Sequence, residues 1–386
     1  MAVKKLKHFV GAIKGIIIIT LIFILFPFAR LFLWNKRIWI VSEYGYEARD
    51  NGYIFFKYMR EKHPNINCYY AIDFKTNDYE KVKLLGNIIQ FGSFKHIVYF
   101  CAARYLISSK TQGFCPNYYL TLLRKKIHLW GKYIFLQHGI TYNNQTMLYK
   151  KVAKLDLIIC GAKPEYDDIV KNYGYESKEI AYTGFARFDT YHESKALKQI
   201  LVMPTWRRYE SDVAFVNTTF YKMWHEFLDS EKLESVLSKY GYKLYFYLHP
   251  EFKDKCNAFI IDKPNIVLLK FENSDLQQYI RQSEIFITDF SSLAFDFGYM
   301  ERPLVYYHKD KEFFYSKHYK KGYFDYNKDG FGPVCNDVDS IVEKLSEIMN
   351  KHFFDNALYL ENSKRFFPLK DSYNCERIFN VIEKRW

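Results

Sequence analysis

Two histidines in this sequence each follow directly after a run of apolar and β-branched residues. His138 lies in FLQHGIT (135–141), with Gly139 behind it, and His249 lies in YLHPEF (247–252). A neutral imidazole can take up or release a proton near neutral pH, and a glycine permits close approach of the backbone. A hydrogen-bonded turn explains either histidine taken singly. Two of them at strand ends in facing domains indicate acid–base chemistry on one bound substrate.

A second segment carries side chains suited to phosphate. LVMPTWRR (201–208) places Thr205, Arg207 and Arg208 after another apolar run. The planar fork of donors on an arginine matches the oxygens of a phosphate group. A solvated surface pair explains the two arginines equally well, so both interpretations stay open.

The segment EIFITDFSSLAFDF (284–297) carries polar residues behind a buried run: Thr288, Asp289, Ser291, Ser292 and Asp296. We expect the two serines to open a helix, where capping alone would explain a serine. A helix N-terminus after a strand is also a site for anions, and hydroxyl groups would add donors for a diphosphate. Asp296, one turn further on, is expected either to accept ribose hydroxyls or to face water.

The elements that position these residues follow from an alternation of short apolar runs and longer amphipathic stretches, which is typical of βα units with a parallel sheet. Eleven runs are predicted as strands: 38–42, 68–72, 87–91, 104–108, 133–137, 156–160, 199–203, 243–248, 265–269, 284–288 and 303–307. In such sheets ligands bind beyond the carboxyl ends of the strands, where the polar residues above are found.

The predicted organisation is α/β, with two doubly wound Rossmann-like domains, a cleft between them and an N-terminal membrane-anchoring helix. The polar stretch 189–198 is predicted to link the domains. The expected boundaries are 1–37 for the membrane-associating segment, 38–195 and 196–345 for the two domains, and 346–386 for a helical tail.

The N-terminal segment concentrates the positive charge of a chain whose net charge is +13. Cations flank the uncharged stretch 15–29 on both sides: Lys4, Lys5, Lys7, Lys14, Arg30, Lys36 and Arg37. This layout favours an anionic membrane surface over nucleic acid, which would need basic residues throughout the folded body. A bilayer crossing needs about 20 apolar residues, so we expect a monotopic anchor bent at Pro27. A tilted span using 10–34, with Lys14 reaching to the head groups, is the alternative.

The chain contains seven cysteines without C-x-x-C spacing. We expect reduced, mostly buried thiols, as in cytosolic proteins. No acidic pair has metal-binding spacing, which predicts that neither an essential metal nor a cofactor is required.

Ordered motifs give the sequence a resemblance to a known family. FLQHGIT, TGFARFD (183–189), MPTWRR, YLHPEF, ITDFSSLAFDF and RPLVYYHKD (302–310) resemble the CDP-glycerol glycerophosphotransferases of teichoic acid synthesis over roughly residues 38–350. Ala186 stands where a proline is more usual. The resemblance implies a GT-B fold, a donor site in the C-terminal domain and transfer of an alditol phosphate with release of CMP. It also implies that His138 and His249 are catalytic.

We therefore expect in-line displacement at the phosphorus that bears glycerol, with CMP as the leaving group. His138 is the expected base, and His249, Arg207 and the start of the helix at 291–292 are expected to hold the diphosphate. Gly139 and Thr141 are placed on the acceptor side. The size of the chain resembles that of the primases, which add the first glycerol phosphate to a lipid-linked disaccharide.

The expected partners are CDP-glycerol, a lipid-linked saccharide and the anionic cytoplasmic face of a bacterial membrane, without nucleic acid, and a homo-oligomer stays open. The alternatives are a CDP-ribitol transferase, a chain-extending glycerophosphotransferase, a nucleotide-sugar glycosyltransferase of the GT-B type and a non-catalytic membrane scaffold. The paired histidines argue against the scaffold.

Overall fold

A computed structural model describes residues 2–117, 120, 131–207, 214–270, 274–317, 320–351 and 357–386, with side chains from residue 13 onward except 14 and 253. Arg208, for which phosphate binding and a solvated surface position both stay open, lies outside these residues. The chain divides into two compact units. The first unit comprises 1–138, 146–189 and 371–386, and the second unit comprises 139–145 and 190–370.

Thirteen strands are found in the described part of the chain. They are β1 Trp39–Val41, β2 Cys68–Ile72, β3 Ile88–Gln90, β4 Tyr105–Ser108, β5 Lys132–Phe135, β6 Leu157–Cys160, β7 Ile180–Tyr182, β8 Leu197–Val202, β9 Lys243–Tyr247, β10 Ile266–Leu269, β11 Ser283–Thr288, β12 Leu304–Tyr307 and β13 Val334–Cys335.

The same residues form fourteen α-helices. They are α1 Ala2–Leu33, α2 Asn51–Lys62, α3 Tyr79–Lys83, α4 Phe94–Ala102, α5 Lys150–Ala153, α6 Lys163–Asn172, α7 Thr219–Leu228, α8 Glu231–Tyr240, α9 Leu276–Gln282, α10 Ala294–Tyr299, α11 Lys311–Lys317, α12 Val338–Lys351, α13 Ala357–Phe366 and α14 Asn374–Arg385.

Each unit is built on one parallel sheet. The first has the order β3-β2-β1-β4-β5-β6-β7, and the second has the order β10-β9-β8-β11-β12-β13. Alternate residues of β1 enter two different hydrophobic clusters, Ile40 in one and Trp39 and Val41 in the other. Both faces of the first sheet are therefore covered, which explains the continuous apolar runs of its strands. The predicted α/β class with two doubly wound sheets is confirmed.

Two strands were not predicted from the sequence. β7 and β13 have three and two residues and pair only with β6 and β12, respectively. Such short edge strands bury too few side chains to leave a recognisable apolar run in the sequence. All eleven predicted strands exist, and their ends differ from the prediction by at most two residues.

The stretch predicted as a linker is packed onto the second unit. The hydroxyl of Tyr191 donates to Asp296 Oδ1 at 2.6 Å, and Arg302 Nη2 donates to the carbonyl of Ser194 at 3.2 Å. β8 begins at Leu197. At the other end of the chain, α14 belongs to the first unit, where Asn374 N donates to Asp189 Oδ1 at 2.8 Å. The C-terminal residues thus close the first unit rather than forming a separate tail.

The cysteines agree with the prediction of buried thiols. All seven are buried and none forms a disulfide bond.

The N-terminal helix is longer than the uncharged stretch suggested. α1 has 32 residues, and the apolar segment Gly15–Lys36, which continues three residues beyond the end of α1, has 22 residues with a mean hydropathy of 2.7. At 1.5 Å per residue this segment measures about 33 Å, the thickness of a bilayer core. Our expectation that it is too short for a span was therefore wrong on length.

One side of α1 packs on α4 of the same unit. Ile22 is fully buried there and Ala29 is 6% exposed, and Cys101 Sγ lies 4.0 Å from the carbonyl of Ile22. The opposite side presents large apolar side chains to solvent: Ile13, Ile16, Ile17, Phe23, Ile24, Phe28, Leu31 and Phe32. Contiguous apolar surface of this kind marks an interaction site.

Candidate active site

The carboxyl ends of three neighbouring strands bring polar residues together in the first unit. β1, β4 and β5 are adjacent in the sheet, and each is followed by polar side chains. Glu43 follows β1, Ser109 and Lys110 follow β4, and His138 follows β5. This is the edge at which ligands bind in parallel sheets.

The imidazole of His138 is held through one nitrogen. Its Nδ1 lies 3.2 Å from the carbonyl oxygen of Ser109. Because a carbonyl only accepts hydrogen bonds, Nδ1 carries the proton, and Nε2 of the neutral ring is left as an acceptor. His138 can therefore receive a proton at Nε2.

Its surroundings keep His138 neutral. Loss of hydration, followed by the charges of Lys110 and Arg187, lowers the pKa of His138 to about 3. More than a third of the residue is exposed, so water weakens this effect. The direction still leaves the imidazole unprotonated at pH 7, as a general base requires.

Arg187 fixes the backbone of the same residue. Its Nη1 donates to the carbonyl of His138 at 3.2 Å and pairs with Asp50 Oδ1 at 2.9 Å, and only 4% of its side chain is exposed. Sequence reasoning quoted the run that contains Arg187 without giving this residue a role.

A buried carboxylate beside this site accepts hydrogen bonds from backbone N–H groups at the start of α2. Glu43 Oε2 accepts from the backbone N–H groups of Arg49 at 3.0 Å and Asp50 at 3.3 Å. Its Oε1 accepts from Tyr53 N at 3.2 Å and Ser109 Oγ at 2.8 Å. Burial raises the pKa of Glu43 to about 7, with the nearby carboxylate of Asp50 adding to the shift.

The sequence contained a signal for Glu43, Ser109 and Lys110. Each follows a correctly predicted strand, so the rule that selected His138 also selects them. None of these three residues was predicted as a site residue.

In the second unit, Nδ1 of His249 accepts a hydrogen bond, whereas Nδ1 of His138 donates one. The backbone N–H of Glu251 donates to Nδ1 of His249 at 3.2 Å, and the ring stacks on Trp206 with centroids 6.1 Å apart. Because Nδ1 accepts, the proton of the neutral imidazole resides on Nε2. His249 therefore offers an N–H donor, which suits a phosphate oxygen.

Arg207 was expected either to bind phosphate or to belong to a solvated surface pair, and its burial excludes the surface pair. Its side chain is fully buried, with Nη2 2.7 Å from Asp289 Oδ2 and Nε 2.8 Å from Asp310 Oδ2. A diphosphate would have to displace one of these carboxylates to reach the guanidinium. The structure thus shows Arg207 as the centre of a buried ion network that joins the ends of β8, β11 and β12.

Asp289 also organises the backbone next to Arg207. Its Oδ1 accepts from Thr205 N at 2.7 Å. Burial raises the pKa of Asp289, and the charge of Arg207 opposes that shift. Thr205 Oγ1 is buried without a hydrogen-bond partner, whereas Thr288 Oγ1 donates to the carbonyl of Met203 at 2.7 Å. Of the two threonines, Thr205 therefore retains an unused hydroxyl.

The helix after β11 begins later than predicted and is short. α10 has six residues, and Ser291 Oγ accepts from Leu293 N at 3.3 Å before it starts. A helix this short has a small dipole, so the expected anion site loses most of its electrostatic basis. Asp296 is fully buried and bonded to Tyr191, which excludes the expected exposure to water and leaves no open path to a ribose.

Gly139 and Thr141 belong to the second unit. A Cβ at Gly139 would collide with Ser292 Oγ, so a glycine is required there by close approach. Thr141 is 2% exposed. Both residues were expected on the acceptor side, within the predicted domain 38–195, but they belong to the second unit, where Gly139 lies against Ser292.

His308 follows β12, and the sequence analysis gave it no structural or functional role. Its Nε2 lies 2.9 Å from the carbonyl oxygen of Asp289, while its Nδ1 is buried without a hydrogen-bond partner. Burial lowers the pKa of His308 to about 4, so the ring is neutral. It supports the loop that carries Asp289.

Within the residues that the structure describes, no group of three or more His, Cys, Asp or Glu side chains is arranged to hold a metal ion.

Comparison with known proteins identifies the family. Residues 24–384 match the family described as CDP-Glycerol:Poly(glycerophosphate) glycerophosphotransferase. The minor teichoic acid biosynthesis protein GgaB of Bacillus subtilis is 32% identical over 90% of this chain, which spans 40% of the length of GgaB. A teichoic acid poly(glycerol phosphate) polymerase of Bacillus spizizenii is 23% identical over 88% of this chain and 92% of its own length.

Solved structures of the wall teichoic acid polymerase TagF have the same fold. One superposes with a TM-score of 0.70 and 16% identity over 98% of each chain. Another, obtained after a soak with CDPG, gives a TM-score of 0.66 at 15% identity and covers 99% of this chain and 98% of the other. The fold agrees with the GT-B-like prediction, and the family match covers most of the sequence. The chain belongs to the CDP-glycerol:poly(glycerophosphate) glycerophosphotransferase family.

Proposed function

We propose that the protein transfers glycerol phosphate from CDP-glycerol to a hydroxyl of a membrane-lipid-linked saccharide and releases CMP, as the priming step of teichoic acid synthesis. The acceptor oxygen forms a bond to the phosphorus that bears glycerol, and the bond to the CMP oxygen breaks. The acceptor proton passes to Nε2 of His138. The observation that carries this proposal is the hydrogen bond from His138 Nδ1 to Ser109, which leaves Nε2 as an acceptor.

The donor is proposed to bind the second unit. His249 offers Nε2–H there, and the hydroxyl of Thr205 is buried without a partner. In the first unit, by contrast, the N-terminus of α2 already binds the carboxylate of Glu43. A diphosphate would have to compete with that internal anion. TagF, whose fold is similar, was soaked with CDPG, which is consistent with a cytidine nucleotide as donor.

A chain-extending activity is the second candidate. The poly(glycerol phosphate) polymerase of Bacillus spizizenii is similar to this chain over 92% of its length. Length therefore does not distinguish a primase from a polymerase within this family. Product size does, because a primase adds a single unit and a polymerase adds many.

We propose that α1 attaches the protein to the cytoplasmic face of the membrane without crossing it. One side of α1 contacts α4 through Ile22 and Ala29, and the other exposes large apolar side chains such as Phe28 and Leu31. A helix that crossed the bilayer as a lone span would give up the contacts with α4. A helix lying in the interface keeps them and still buries its outer side in lipid.

The topology is tested by a cysteine placed at residue 2. The seven native cysteines are buried, so the new thiol is the one open to reagent in the folded protein. An in-plane helix predicts protection from an impermeant thiol reagent until the cells are lysed. Labelling from outside intact cells would reject the monotopic anchor in favour of a span.

The activity is tested by incubating the protein with CDP-glycerol, CDP-ribitol or a nucleotide sugar, with and without a synthetic lipid-linked disaccharide. We expect CMP release from CDP-glycerol that depends on the acceptor, and a product heavier by one glycerol phosphate. Preference for CDP-ribitol would change the donor, and a ladder of products would favour the polymerase. Release of a sugar-free nucleoside diphosphate from a nucleotide sugar would reject the phosphotransferase.

A further inference from the structure

The residue before His138 has a backbone conformation that is rare outside glycine. Gln137 has φ +58° and is 1% exposed. This left-handed region is unfavourable for a residue with a side chain, because Cβ comes too close to the following carbonyl oxygen. Strain of this kind persists only where the surroundings enforce it, and it clusters at functional sites. The contacts of Gln137 show what enforces it.

The side chain of Gln137 is bonded to the neighbouring strand and helix. Its Nε2 donates to the carbonyl of Ile159 at 2.8 Å and to Oε1 of Glu165 at 3.0 Å. Glu165 is fully buried, and its Oε2 accepts from Gly161 N at 2.8 Å. The amide of Gln137 is therefore fixed to the end of β6 and the start of α6.

The backbone of the same turn is held from another direction. Asn51 Nδ2 donates to the carbonyl of Gln137 at 2.7 Å, and its Oδ1 accepts from Arg187 N at 3.0 Å. Arg187 in turn donates to the carbonyl of His138. Two consecutive carbonyls of the turn thus have buried side-chain donors, and the Cα–Cβ bond of His138 has a fixed direction.

We infer that Gln137 is a positioning residue that aims Nε2 of His138 at the acceptor hydroxyl. The inference rests on the proposed role of His138 as base. Gln137 itself touches no reacting atom. The hydrogen bonds from the side-chain amide of Gln137 to Ile159 and Glu165 keep the strained turn from relaxing. Misplacing a catalytic group by about 1 Å can lower the rate on the order of 10²-fold.

Two substitutions separate strain from positioning. Gln137→Ala keeps the left-handed strain and loses both hydrogen bonds of the side-chain amide. Gln137→Gly loses the same two hydrogen bonds and also removes the strain. We expect both variants to lower kcat for CMP release from CDP-glycerol with the lipid-linked disaccharide by about 10- to 10²-fold. KM for CDP-glycerol should change less than twofold. The glycine variant keeps the test valid if the alanine variant fails to fold.

Asn87 provides a matched control in the same sheet. It also has a left-handed backbone, with φ +55°, and its Nδ2 donates to the carbonyl of Cys68 at 3.1 Å. It precedes β3, at the amino edge of the sheet, opposite the site. Asn87→Ala should lower the thermal midpoint as Gln137→Ala does and leave kcat unchanged. An equal loss of kcat in both variants would show general destabilisation and overturn the inference.

A double substitution shows whether Gln137 acts through His138. If it does, Gln137→Gly combined with His138→Ala should turn over as slowly as His138→Ala alone, because no base remains to be positioned. Multiplying losses would overturn the positioning role. A His138→Ala variant at the parent rate rejects the proposed base itself. A slow His138→Ala variant beside fully active Gln137 variants rejects only the positioning role.

Discussion

His138 and His249 both follow strands of a parallel sheet, yet the ring nitrogen Nδ1 has opposite hydrogen-bonding roles in the two residues. Nδ1 of His138 donates to a carbonyl, whereas Nδ1 of His249 accepts from a backbone N–H. The far nitrogen is therefore an acceptor in His138 and a donor in His249. The chemistry of each histidine follows from the partner of its other nitrogen, which residue type and strand-end position do not specify.

The charges around the two strand ends differ in the same way. In the first unit, the charges that act on the exposed imidazole of His138 are the cations Lys110 and Arg187, which help to keep it neutral at pH 7. In the second unit, Arg207 is enclosed between Asp289 and Asp310. The charge of this cation is already balanced by two internal carboxylates.

Removing the acceptor nitrogen should have the largest effect. His138→Ala is expected to lower kcat by about 10² to 10⁴, as loss of a general base does, with calorimetric affinity for CDP-glycerol nearly unchanged. His138→Gln should be equally slow, because an amide oxygen accepts a hydrogen bond but does not take up a proton at pH 7. Parent-level turnover in either variant would remove His138 from the reaction.

Breaking the buried network should destabilise the second unit. Arg207→Met leaves Asp289 and Asp310 as unpaired buried carboxylates, which costs about 3–5 kcal/mol. The exposed pair of Lys232 and Asp339, 2.7 Å apart, is the control. Lys232→Met should change the free energy of unfolding by less than about 1 kcal/mol. Urea unfolding measures both.

One outcome for Arg207→Met would support the role as a phosphate ligand that was expected from the sequence. If unfolding is unchanged and only the affinity for CDP-glycerol falls, Arg207 is a phosphate ligand. The buried geometry would then not describe the liganded protein.

The fold was predictable because it depends on features that are local in sequence. Strands such as β6 and β11 contain short runs of apolar residues that include isoleucines, and the alternation of such runs with amphipathic stretches along the chain is enough to predict two parallel sheets. The setting of Arg207 was not predictable. It depends on Asp310, 103 residues away, and no local pattern pairs the two.

For the candidate site, the sequence predicted which residues follow the strands but not how their side chains are hydrogen-bonded. The positions of His138 and His249 followed from the apolar runs before them. Their protonation did not, because it depends on Ser109 in one case and on a turn amide in the other. Asp296 shows the same limit, since its burial depends on Tyr191, 105 residues earlier.

The donor role of His249 can be tested with two substitutions. His249→Ala should lower kcat/KM about 10- to 10²-fold and weaken CDP-glycerol binding, which matches loss of one hydrogen bond to a charged group. His249→Gln should recover most of this loss, because its amide N–H reaches the position of Nε2 and donates. His138→Gln, by contrast, should recover no activity. This difference between the two glutamine variants tests whether Nε2 is an acceptor in His138 and a donor in His249. Equal losses for alanine and glutamine at 249 would contradict it.

The smallest expected effect is a pH dependence that originates at Glu43 rather than at His138. The carboxylate of Glu43 accepts from four donors, one of which is the hydroxyl of the residue that binds His138 Nδ1. A proton on this carboxylate must disturb at least one of these bonds and loosen the support of the imidazole. Because burial raises the pKa of Glu43 to about 7, we expect kcat to fall below that pH, well above the range set by His138.

Stability should change with the opposite sign. The pKa of Glu43 is about 7 in the folded chain and 4.5 without burial, so between these values the folded state binds more protons than the unfolded state. The free energy of unfolding therefore rises as pH falls from 7 to 4.5, by up to about 3 kcal/mol. Glu43→Gln, which is neutral throughout, should abolish both trends and turn over at the low-pH rate of the parent. An acid limb near pH 7 that survives in this variant would assign the titration to a different group, and the first candidate is Glu47, whose pKa is also raised by burial.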